Sequence, residues 1–299
     1  RYHEVPLQVL MRHALRPGDA FIDGGANNGL VTMVGAWLVG KSGVFTLRKL
    51  LPALVAERRV DHVIVCGDGA TGGSGLGKQH AGYLRKLGAG TVTTGDGAFI
   101  KKDIVELFPT SPWLLRPANY PEGGVPGKGW RLVRVGPVLL GVMVLQGQSG
   151  FSRTHLENPL RAFDAALERM RAEAAPARPL VFVDFHASTT AEKRTLLAHI
   201  DGRAAVLIGS HGRVQTADPV VTQAGTAFLT DAGRTGSRDS VGGLDPEMRV
   251  AEYLTGVPNW AKDASGSLEL QGCVVEIEDS GRARSIETLR LPCAEVLRD

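Results

Sequence analysis

Two short apolar runs, each ending in a histidine, constrain this chain more than anything else in it. The first reads LVFVDFHASTTAEK over residues 180–193 and the second AAVLIGSHGRVQTAD over residues 204–218. Runs of this length, separated by a helix-sized segment, are the pattern of strands in a sheet covered on both faces. Ligands of such sheets gather beyond the carboxyl ends of the strands. His186 and His211 stand at those ends, with Asp184 and Asp218 close by in sequence. One strand-end histidine is commonly a backbone cap. Two at matching ends, with carboxylates nearby, point to a site.

The rest of the chain supplies strands of the same kind. A helix is expected over residues 46–59 and a strand over 60–66, which opens into GDGATGGSGLG with Asp68 at its mouth. A helix over 78–87 leads to a strand over 91–94 and to GDGAFIKKD, with Asp96 at its mouth and a short helix over 103–108. After the loop RPANYPEGGVPGKGW, paired strands are expected over 131–135 and 139–145, and an amphipathic helix over 159–174. A strand over 227–230, a glycine-rich loop from Asp231, a helix over 247–254 and a terminal hairpin turning at 279–281 complete the order. The first 40 residues read differently: an amphipathic helix over 1–16, a strand over 20–22, the loop DGGANNG from Asp23 to Gly29, and a helix over 30–39.

Composition excludes several partners. A net charge of +3, from 34 Lys+Arg against 31 Asp+Glu, gives no basic face for DNA and no membrane-surface signal. The three cysteines are far apart in sequence and form no CxxC, so neither a disulfide framework nor a zinc knuckle is expected. No apolar run reaches membrane-spanning length, and the cytoplasm is the expected compartment. Asp68 and Asp96 lie in glycine loops where aspartate also serves as a turn residue. His80 and His199 are assigned to helix surfaces, His62 to a helix–strand corner, and Asp231 with Arg234 to a loop ion pair.

Two resemblances follow from these residues. The loop DGGANNG resembles the first motif of FkbM-type S-adenosylmethionine-dependent methyltransferases, but VFTLRKLLPALVAERR supplies no acid at the end of a next strand for the cofactor ribose. From about residue 40 to 291, the motifs RPANYPEG, PGKGW, LQGQSGF, VDFHASTTAEK, GSHGRVQTAD and TDAGRTG resemble the YmdB-like branch of the calcineurin-type metallophosphoesterases. The resemblance implies an α/β fold, a layered αββα sandwich with mixed β-sheets and a C-terminal β-hairpin. It also implies a two-metal centre that hydrolyses phosphoesters, 2′,3′-cyclic nucleotides among them.

Measured against that family, the first-strand ligand aspartate is Trp37 and the Glu-Asn pair is Asp68-Gly69. The Asn-His pair, carrying the general acid, is Asp96-Gly97, and His-x-His is His211-Gly212-Arg213. The implied ligands are Asp68, Asp96, His186 and His211, with Arg213 and Thr190 facing phosphate. The expected centre holds one divalent ion (Mn, Fe, Mg or Zn) or none, with Arg213 standing in for the lost ion. The expected organisation is an N-terminal extension over 1–40 and a metallophosphoesterase-like domain over 41–299, with 20–22 as a candidate for the missing first strand. The functional expectation is a weak phosphodiesterase or phosphatase acting on a phosphoester or nucleotide, with assembly as a homo-oligomer left open. The alternatives are a non-catalytic nucleotide- or phosphate-binding pseudoenzyme and, on Asp23 to Gly29 alone, a methyltransferase.

Overall fold

Strand alternation is what builds this molecule, because it sends one set of side chains to an inner core and the other to flanking helices. The computed structural model describes residues 31–294 apart from 153, 155, 260 and 261, and the backbone alone over 31–39. In the first sheet β1 (Val31–Val39), β2 (His62–Gly69), β3 (Thr91–Thr93) and β4 (Leu114–Leu115) lie side by side and parallel. Beyond β1 the sheet is antiparallel: β12 (Leu268–Ile277) pairs with β1, with β13 (Ala283–Pro292) and with the short β11 (Gly236–Ser237). The second sheet opens with the hairpin of β5 (Trp130–Val135) and β6 (Val138–Gln146). It continues in parallel through β7 (Leu180–His186), β8 (Val206–Ser210) and β10 (Ala227–Leu229), with β9 (Val220–Val221) antiparallel at its edge.

The two sheets face each other. Ile64, Cys273 and Val275 of the first pack with Val142, Phe182, Ile208 and Leu229 of the second. On the outer side of the first sheet, Leu47, Leu51 and Leu54 of α1 (Gly40–Arg58) and Leu84 of α2 (Lys78–Lys86) cover Val63, Val65 and Val92. On the outer side of the second, α3 (Pro159–Ala174) and α4 (Thr190–Ile200) bury Phe163, Leu167, Leu196 and Ile200 against Val181, Val183 and Phe185. Each such fully buried side chain contributes about 1.5–3 kcal/mol. The expected αββα sandwich and C-terminal hairpin are therefore present. A fifth helix, α5 (Pro246–Thr255), buries none of its residues.

Three expectations fail, each for a physical reason. Residues 31–39 form a strand, not a helix: VTMVGAWLV is a continuous apolar run, and periodicity cannot tell a strand buried between two neighbours from a helix. Its β-branched residues and position between β2 and β12 decide the outcome. α1 begins at Gly40, six residues earlier than its apolar face suggests, because the chain turns directly off β1. Residues 103–108 give two 3₁₀ turns, Lys102–Ile104 and Phe108–Thr110, in place of one helix. The first strand of the sheet is thus Val31–Val39, with Trp37 opposite Cys66 of β2. The segments 1–16, 20–22 and 23–29 lie outside the described residues.

Candidate metal centre

The same alternation that builds the cores delivers the site. On β7, Val181, Val183 and Phe185 face the helices, so Leu180, Phe182, Asp184 and His186 face the opposing sheet. On β2, Val63 and Val65 face α1, which turns Ile64 and, four residues on, Asp68 inward. On β8, Val206, Ile208 and Ser210 share the inner face, and on β3 Val92 points outward while Thr93 points in. Four parallel strands from two sheets therefore end at one place. Asp96 follows β3 after Thr94 and Gly95, His211 follows β8 directly, and His211 reaches in from a left-handed backbone (φ 89°).

His186 stands at the centre of the cluster, fully buried. Its Nε2 lies 2.8 Å from Asp96 Oδ1, 3.1 Å from His211 Nδ1 and 3.5 Å from Asp68 Oδ2, and His211 Nδ1 is 3.5 Å from Asp96 Oδ1. The other ring nitrogen has its own partner. Ser210 Oγ donates its only proton to Asp184 Oδ1 at 2.7 Å, and Thr93 Oγ1 donates to Asp184 Oδ2 at 2.5 Å. Ser210 Oγ therefore meets His186 Nδ1 (3.2 Å) as an acceptor, and a proton placed on Nδ1 would leave Nε2 a lone pair for an ion. Burial pushes His186 down to about 4, which keeps the ring neutral at pH 7. At 2.8 Å, His186 Nε2 and Asp96 Oδ1 share a hydrogen bond, whose proton a bound cation would replace.

The two carboxylates differ in charge state. Burial and the neighbouring Asp96 push Asp68 up to about 8, against the Gly95 and Gly97 N–H groups and the charge of Arg213. Asp68 Oδ2 accepts from Gly97 N at 3.0 Å, while its buried Oδ1 has no hydrogen-bond partner among the described residues. Although burial opposes it, bonding to His186 and His211 holds the Asp96 carboxyl well below the usual range. Donor atoms of Asp96, His186 and His211 all lie within 4.8 Å of one another. A four-coordinate ion with bonds of about 2.0–2.2 Å sets adjacent donors about 3.3–3.6 Å apart; the 3.5 Å contacts match this, and the 2.8 and 3.1 Å contacts would have to open around an ion. The donor set, two imidazoles and two carboxylates, suits Mn, Fe or Zn, and the orphaned Asp68 oxygen gives such an ion a ligand that no other described group uses.

Sequence reasoning names all four of these residues but misses what surrounds them. Phe151 closes one side, 6.0 Å from the His186 ring and edge-on to His211 at 4.9 Å. Its loop is anchored by Glu192, which accepts from Gln148 N and Ser149 N. Asp184, Ser210 and Thr93 form the outer support, and the period-two pattern from His186 back to Asp184 is the signal that leads to them. Asp218 lies apart from the site, bonded to Thr230 and Arg194. Asp231 pairs with Lys193 and not with Arg234, whose Nη1 donates to Ser237 O. His62 is buried at the start of β2, its Nε2 2.9 Å from Thr91 Oγ1. Thr190 is exposed at the first position of α4, and it is Thr189 whose hydroxyl caps that helix. Arg213 donates from Nη1 to Gly242 O (3.1 Å) and from Nη2 to Gly73 O (3.4 Å), tying two loops together beside Asp68.

Two facing sheets flanked by helices, with acids and imidazoles converging at the parallel strand ends, define a metallophosphoesterase-type fold. The chain belongs to the YmdB-like protein family, whose profile matches residues 33–289. It is 36% identical over 242 residues to the 2′,3′-cyclic-nucleotide 2′-phosphodiesterase of Bacillus subtilis (strain 168), covering 81% of this chain and 89% of that one. Among solved structures, a hypothetical protein from Thermus thermophilus superposes with a TM-score of 0.79 at 31% identity, over 88% of this chain and 99% of that one. A phosphatase from Mycoplasma pneumoniae superposes with a TM-score of 0.81 at 24% identity, over 88% and 94% of the two chains, a likeness of fold. Among the described residues no helix is long and apolar enough to cross a membrane.

Proposed function

We propose that this chain is a phosphoester hydrolase built on a single divalent ion held by Asp68, Asp96, His186 and His211. The observation that carries it is the convergence of Asp96, His211 and Asp68 on His186 Nε2, with the second Asp68 oxygen left without a hydrogen-bond partner among the described residues. When bound, the ion supplies a Lewis acid for a phosphoryl oxygen. The protein's part is to keep His186 neutral by burial, to hold Asp96 ionised, and to wall the centre with Phe151. Arg213, fixed between Gly73 and Gly242, contributes a permanent positive charge on the Asp68 side. A guanidinium there favours phosphate and disfavours a second cation, so Arg213 takes over part of the lost ion's role.

Turnover is weak in this reading because no proton donor stands where the resemblance places the general acid: position 97 is glycine. Positioned acid catalysis is worth about 10²–10⁴ in rate. With manganese, bis-p-nitrophenyl phosphate, whose leaving group needs no proton, should be hydrolysed while 2′,3′-cyclic AMP turns over at least about 100-fold more slowly. Comparable rates on the two would overturn the missing-acid account. The second reading, a non-catalytic nucleotide or phosphate binder, is favoured by the same Gly97 and Arg213. Tight AMP binding with no turnover of either ester would select it.

A further inference from the structure

Two residues of the His211-Gly212-Arg213 turn carry side chains in the left-handed region, His211 at φ 89° and Arg213 at φ 60°. Non-glycine residues hold such conformations only where the surroundings over-determine them. The fixing element lies beneath the turn. Asp231 Oδ2 accepts from Gly212 N at 2.8 Å and from Lys193 Nζ at 2.9 Å, while its Oδ1 accepts from Gly233 N at 3.0 Å. Both side chains of the pair are 3% exposed. The Lys193 stem runs against Gly209, where an added Cβ would lie 2.9 Å from Cδ, and an added Cβ at Gly212 would lie 2.7 Å from Asp231 Oδ2. The turn is therefore packed onto the pair with no room for adjustment.

We infer that Lys193 and Asp231 are positioning residues, whose buried ion pair holds the Gly212 backbone and so aims the His211 ring at His186. Lys193 is what keeps an acceptor charge at Asp231 in a place closed to water, and a buried carboxylate without its cation takes up a proton or rearranges. The inference rests on the centre proposed above only for its consequence in metal binding; its geometric content stands without metal.

The test is Lys193→Met, which keeps the stem and removes the charge. In metal-free protein the ring ¹H–¹⁵N resonances of His211 and His186 should move, while those of His62, bonded to Thr91 at the start of β2, should not. Mn²⁺ affinity should fall about 10–100-fold, the usual effect of an outer-shell partner. In a His211→Ala background the same substitution should cost less than about 2-fold, because its effect passes through that ring. Unmoved His211 resonances, or an equal loss of affinity with and without His211, would overturn the inference. Should the wild-type protein bind no Mn²⁺, the metal reading fails and the ring resonances alone decide. If Lys193→Met does not fold, Asp231→Asn carries the same readouts.

Discussion

Replacing His186 with alanine is expected to lower affinity for Mn²⁺ by at least about 100-fold and to bring turnover of bis-p-nitrophenyl phosphate to background. His186 Nε2 lies within 3.5 Å of Asp68, Asp96 and His211 together. Removing it leaves two carboxylates and one imidazole with no common centre. The fold should survive, since Asp184 keeps its bonds from Thr93 and Ser210, and the cavity opens toward the loop of Gly95. That glycine lies flat against the ring: a Cβ there would come within 2.2 Å of His186 Cδ2. Calorimetric titration with Mn²⁺ checks the affinity, an ester assay the turnover, and circular dichroism the fold. Affinity unchanged from wild type would remove His186 from the centre.

Restoring an imidazole at position 97 should not restore a general acid. A Cβ on Gly97 would lie 2.8 Å from Asp68 Oδ1, 3.0 Å from Gly75 Cα and 3.1 Å from Asp68 Oδ2. The loops after β2 and β3 meet there backbone to backbone, with Gly97 N bonded to Asp68 Oδ2. Gly97→His must therefore displace the Asp68 carboxylate or part the loops, and overpacking of this kind costs about 1–3 kcal/mol. The expected outcome is a lower melting temperature and weaker Mn²⁺ binding, with no gain on 2′,3′-cyclic AMP. A variant of unchanged stability that gains at least about 100-fold on the cyclic nucleotide would show that only the proton donor is missing. The aspartate at 68 and the glycine at 97 are thus one packing solution.

Much of this arrangement is legible in the sequence, and the limits are specific. The apolar runs ending in His186 and His211, and the glycine loops opening at Asp68 and Asp96, locate all four central residues, because parallel strands bury both faces and end at one rim. Period two also places Asp184 behind His186, and Ser210 on the same face as Ile208. What local pattern does not reveal is pairing across the fold. Lys193 in a helix and Asp231 in a loop join only because α4 packs behind β8, and Arg213 reaches Gly73, 140 residues away in sequence. Residues 31–39 mislead because a short apolar run without alternation reads equally as strand or helix.

The central claim is one divalent ion per chain, where the resemblance implies two. Elemental analysis of protein loaded with Mn²⁺ and passed through a desalting column tests it most directly. This account predicts about one ion per chain in the wild type, and still about one in Arg213→His, because β1 carries Trp37 where the family places an aspartate ligand. Two tightly held ions per wild-type chain would contradict it.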